Sequence, residues 1–68
     1  MSSRLKGYRV MAGLTQEDMA EAIQVNRPYY TLKENGNKFS TEQTKTIFRV
    51  LKKKLPSLKY EEVFPVDE

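Results

Sequence analysis

The stretch Leu14–Gly36, LTQEDMAEAIQVNRPYYTLKENG, decides the fold. It reads as two short helices joined by a tight turn. Thr15 is an N-cap, because its hydroxyl can accept from an otherwise unpaired backbone N–H. Asp18, at the third helical position, completes the cap and suits the positive helix end. Met19, Ala20 and Ile23 follow as one apolar stripe, and small Ala20 lets a second helix cross close by. Asn26 is a second N-cap. Pro28 falls within the first turn, where no internal N–H partner is lost. The second helix is expected to run to Asn35 and to stop at Gly36, which takes a left-handed conformation at low cost. Two helices with a turn of this length make a helix-turn-helix, whose second helix can enter the DNA major groove.

The totals set bounds on the rest. A chain of 68 residues reads as a single domain over 1–68. A domain this small buries only about 60% of its unfolded surface, so its stability is marginal or helped by a partner. Cysteine and histidine are absent, which removes disulfides, thiolate nucleophiles and the usual base and soft metal ligands. No glycine-rich phosphate loop is present, and Glu17, Asp18 and Glu21 cluster on the outside of one helix. An enzyme, a cofactor and a metal site are therefore not expected. No apolar run nears membrane-spanning length and no signal core opens the chain, so a cytoplasmic protein, neither membrane-spanning nor secreted, is expected. Residues 1–60 hold all twelve Lys and Arg and five of the nine acids, while 61–68 hold four acids and no base. A basic body suits an anionic partner, or forms a solvated face.

Outward from the central stretch, Leu5, Tyr8 and Ala12 share a helical face, with Ser2 or Ser3 as cap and Gly13 as stop. Leu14 packs inward. Arg9 lies beside the stripe and must snorkel or find a carboxylate. Gly7 either weakens this helix by about 1 kcal/mol or admits another backbone. Beyond Gly36, Phe39 anchors a loop, and Ser40 with Gln43 forms a capping box. The helix that follows turns Ile47, Val50, Leu51 and Leu55 inward, ends in Lys52, Lys53 and Lys54, and stops at Pro56. Leu58, Tyr60, Val63 and Phe64 indicate a fifth helix over 58–63, with 65–68 a frayed acidic tail. The fold class is all-α, a compact bundle of about five short helices.

The pieces Leu5 and Arg9, GLTQEDMA at 13–20, ENG at 34–36 and LKYEEVF at 58–64 resemble, in order and spacing, the phage repressor/Cro-type helix-turn-helix family. The resemblance spans about residues 4–64 and implies a lambda repressor-like DNA-binding domain. By position, Gln16 matches a glutamine that touches a phosphate and often a base. Arg27, Pro28 and Tyr29 match the exposed start of the recognition helix, placed at about 27–35 in the major groove, and Asn26, its cap, is counted with them as a DNA-binding candidate. Asn35 and Lys38 match the loop that approaches the DNA backbone, and Arg9 and Glu34 match an internal salt bridge. The function implied is a small Cro-like transcriptional regulator of a temperate phage, binding a double-stranded operator, commonly as a homodimer. Val63 and Phe64 are either core cover or the dimer contact.

Two departures stand out. Gln24 occupies a turn position where the family has glycine; a positive φ there costs glutamine about 1–2 kcal/mol. The family buries an aliphatic residue where this chain has Lys33 and exposes the position of Leu32. Either Lys33 snorkels, or the helix rotates, or Leu32 reaches outward to a base methyl or a partner. An alternative function follows: an antirepressor that binds a partner repressor through Pro28, Tyr29, Tyr30 and Leu32, since tyrosine and arginine favour interaction hot spots.

Overall fold

The computed structural model describes residues 4–36 and 39–64. It is all-helical: α1 Leu5–Met11, α2 Gln16–Ala22, α3 Arg27–Gly36, α4 Thr41–Lys54 and α5 Tyr60–Val63. The expected caps Ser2 and Ser3, the loop residue Lys38 and the tail 65–68 lie outside the described residues.

Local chemistry sets most boundaries. α1 ends in a Schellman motif: Gly13, at φ +76°, donates to Val10 O at 2.9 Å and Leu14 donates to Arg9 O at 3.1 Å. α2 opens on a reciprocal capping box, with Asp18 N donating to Thr15 Oγ1 at 3.0 Å and Thr15 N to Asp18 Oδ2 at 2.9 Å. It ends in a second Schellman motif, Gln24 N to Glu21 O at 3.1 Å and Val25 N to Ala20 O at 2.9 Å. Gln24 holds the left-handed position at φ +61°. Ala20 belongs to the core and Val25 packs against that core, as the apolar positions of this motif do. Asn26 Oδ1 accepts from Tyr29 N at 2.8 Å and opens α3. Ser40 and Gln43 cap α4 reciprocally at 3.2 and 3.0 Å.

The core is Leu5, Met19, Ala20, Tyr30, Ile47, Leu51, Leu58 and Val63, with Tyr8, Ala12, Leu14, Ile23, Val25, Phe39, Val50 and Leu55 packed around it. α2 lies chiefly against α3 and α4, so the turn at Gln24 fixes how α3 leaves the core. α5 is tied down by a polar contact: Thr44 Oγ1 donates to Thr41 O at 2.7 Å and meets Tyr60 OH at 2.7 Å. With its own proton spent on Thr41, Thr44 accepts from the phenol. Rings continue the seam, Phe48 to Tyr60 at 5.5 Å edge-on and Tyr60 to Phe64 at 5.5 Å tilted.

Several expectations are corrected. α3 runs one residue further, through Gly36. α4 ends as expected, with Lys52, Lys53 and Lys54 in its last turn and Leu55, the residue before Pro56, as its cap. α5 begins at Tyr60, because Lys59 N donates to Glu62 Oε1 at 2.9 Å and sets the start there. Leu58 is buried, but in the connecting turn, where its N–H donates to Leu55 O at 2.9 Å. Gly7 admits no backbone among the described residues, none of which comes within 4 Å of where its Cβ would stand outside its own helix backbone. Val63 is fully buried and belongs to the core, so it is not a dimer contact.

Candidate nucleic-acid interface

The inner face of α3 is fastened to α1 and α2 by one polar cluster centred on Glu34. Arg9 Nε donates to Glu34 Oε2 at 3.0 Å, and Arg9 Nη1 donates to the carbonyl of Leu14 at 2.9 Å. Tyr30 OH donates to the same carboxylate oxygen at 2.9 Å. Gln16 Nε2 donates to Glu34 Oε1 at 3.0 Å, and Gln16 Oε1 accepts from Thr31 Oγ1 at 3.0 Å. The side chains of Arg9 and Glu34 are 9% and 2% exposed. A buried charge pair is tolerated only when its remaining lone pairs and protons are matched. Here both Glu34 oxygens are filled, and no buried side-chain N or O among the described residues lacks a partner.

The electrostatics follow from that geometry. Burial by itself would raise the Glu34 carboxyl. The hydrogen bonds from Gln16, Arg9 and Tyr30, with the Arg9 charge, outweigh it and hold the group below the usual 4.5. The Tyr30 phenol is pushed well above its ordinary 10.0, first by burial and then by the Glu34 charge and its hydrogen bond. The cluster thus holds an ionised Glu34 against a neutral Tyr30 throughout the physiological range.

The outer face of α3 carries Pro28, Leu32 and Asn35, all exposed, with Tyr29 at 37% and Leu32 at 70%. Arg27, at the helix start, is exposed and without a side-chain partner among the described residues. The helix is not rotated, since Tyr30 and Glu34 face inward and Leu32 outward. Lys33 is half-buried and lays its Nζ over the Tyr29 ring, 5.2 Å from the centroid.

The structure therefore brings Arg9, Gln16 and Glu34 together on the inner side of α3. It sets Asn26, Arg27, Pro28, Tyr29 and Leu32 on the outer side or at its edge, and Lys38 is outside the described residues. Gln16 is half-buried with its amide held at both ends, although one N–H of Nε2 remains uncommitted. Asn26 serves as the cap of α3 through Oδ1. Thr31 and the Tyr30 hydroxyl were missed as members of the cluster. The four-residue spacing of Tyr30 and Glu34, which stacks them on one helix face, is the signal that could have found the second.

No solved structure matches the chain. An uncharacterised HTH-type transcriptional regulator, YqaF of Bacillus subtilis (strain 168), is 47% identical over 38 residues, 56% of this chain. The chain spans about half the length (50%) of that relative. The profile of the helix-turn-helix family matches residues 5–58, from the first residue of α1 to the turn before α5. The match includes both arms of the motif and the whole Glu34 cluster, and the chain belongs to the helix-turn-helix family.

Proposed function

We propose that this chain is a sequence-specific DNA-binding transcriptional regulator, Cro-like in build, with α3 lying in the major groove of a double-stranded operator. The observation that carries the reading is the pre-organisation of α3. Its inner face is locked to two other helices by Glu34, while its outer face and its Arg27 end stand free. A helix held this rigidly presents its outer side chains to base edges with little further ordering. Arg27 can take guanine O6 and N7 with two bonds, and Lys38 with the loop after α3 can meet phosphates. Two copies on a two-fold operator would read half-sites about 34 Å apart. Phe64, half-buried at the end of α5, is the accessible apolar group there, Val63 being core.

A second reading, recognition of a partner repressor in a temperate phage, is favoured by one observation. The tip of α3 is apolar and aromatic at Pro28, Tyr29 and Leu32. Fluorescence anisotropy with random and defined duplexes across a salt series separates the two. A DNA reader binds a subset of sequences tightly, weakens steeply with salt, and loses that preference in Arg27→Ala and Tyr29→Ala. Weak, sequence-blind binding that those changes leave untouched would sink the groove-reading account.

A further inference from the structure

The outward face of α3 is short of free hydrogen-bonding groups. The Thr31 hydroxyl is spent on Gln16 Oε1 at 3.0 Å, and Gln16 Nε2 is turned inward to Glu34 at 3.0 Å. Lys33 Nζ is drawn back over the Tyr29 ring. Asn26 Oδ1 is occupied by the backbone of Tyr29. What remains in the middle of the face is aliphatic: Leu32, 70% exposed, stacked one turn beyond Pro28.

Base edges in the major groove offer one apolar group, the C5-methyl of thymine. A hydrocarbon side chain against that methyl removes both from water. Against the amino group of cytosine or the acceptors of guanine, it strips water from a polar edge and returns nothing. The basic body of residues 1–60 and the exposed Arg27 beside this patch favour a polyanion as its occupant over an apolar protein surface.

We infer that Leu32, with Pro28 beside it, reads thymine C5-methyl groups. The half-site accordingly carries thymine opposite the middle of α3, and hydrogen-bonded readout falls to the groups at the two ends of the helix, Asn26, Arg27 and Tyr29 at one and Asn35 at the other. This rests on α3 being the groove-entering helix and adds which base chemistry it reads there.

The test uses the full chain and a duplex selected by it from random-sequence DNA. Each thymine of the selected half-site is replaced by uracil, which lacks only the C5-methyl, and Kd is read by fluorescence anisotropy. Uracil at one or two positions should weaken wild-type binding about fourfold each, the worth of one buried methyl group. Leu32→Ala should bind thymine and uracil duplexes alike, while melting as the wild type does because Leu32 is exposed. Leu32→Gln should lose the thymine–uracil distinction too and shift preference toward adenine. Sequence-selective binding that ignores every uracil exchange, or a distinction that survives in Leu32→Ala, overturns the assignment and leaves groove reading standing. Absence of any sequence-selective binding by the wild type overturns both.

Discussion

Gln24 carries the clearest local strain in the chain. Its φ of +61° puts a Cβ-bearing residue in the left-handed region, where glycine is the default. Gln24 is exposed, so the side chain contributes little packing to offset the cost. Gln24→Gly is expected to stabilise the domain by about 1 kcal/mol, raising Tm by roughly 4–8 °C in a chain of this size. A thermal melt followed by circular dichroism checks it, and a lower Tm would show that glutamine is not strained there. Tyr30 makes the opposite kind of contribution. Tyr30→Phe keeps the ring in the core but removes a hydrogen bond to an ionised carboxylate, and should cost about 1.5–3 kcal/mol. The pH dependence has a sign at each end. Glu34 titrates below its ordinary 4.5 in the folded state, so its stabilisation is complete above about that pH and fades as pH falls further. Tyr30 titrates above its ordinary 10.0, so its stabilisation is complete below that pH and fades as pH rises beyond it. Urea melts against pH should show a plateau between these limits. The alkaline slope should flatten in Tyr30→Phe. Part of the acid slope should persist in Glu34→Gln, because the cap hydrogen bonds to Thr15 also lower Asp18.

At the scale of elements, α1 and α3 owe their relation to one carboxylate. Glu34→Ala would strand the Arg9 guanidinium in a site 9% exposed and leave Gln16 and Tyr30 without their acceptor. A loss of about 3–5 kcal/mol is expected, a large share of the stability of any small domain. A Tm that barely moves would mean the pair adds nothing. Gly7 tests the reverse case. No atom of the described residues crowds it, and it lies inside an exposed turn of α1, so Gly7→Ala should stabilise by roughly 0.5–1 kcal/mol. Elements were legible in the sequence where a boundary is written in local chemistry. Thr15 with Asp18, Ser40 with Gln43, and Asn26 each set a helix start within hydrogen-bond reach of their own side chains. Where a tertiary contact decides, the sequence is mute. Nothing local to Thr44 announces that it meets Tyr60 sixteen residues on. Lys33 is ambiguous on a different ground: the Tyr29 ring lies one turn back on the same helix, and the helical angle alone does not say that the ammonium leans over it.

Across the whole molecule, the division of labour on α3 explains why its site was only half readable. Residue type and order mark Arg27, Pro28 and Tyr29 as the exposed tip. They do not show that Gln16 is held inward, because its partners Glu34 and Thr31 lie in the next helix. A basic surface also continues along α4, where Lys45, Arg49, Lys52 and Lys53 surround Phe48 and Tyr60. Those cations compete with α3 as the place where an anionic partner settles. The most direct test is therefore amide chemical-shift mapping by NMR as the selected duplex is added to the full chain at moderate salt. The account predicts that the largest shifts fall on Asn26–Asn35 and on Gln16, with Lys45–Lys53 little moved. Shifts concentrated on Lys45–Lys53, with Asn26–Asn35 unchanged, would contradict the placing of α3 in the major groove.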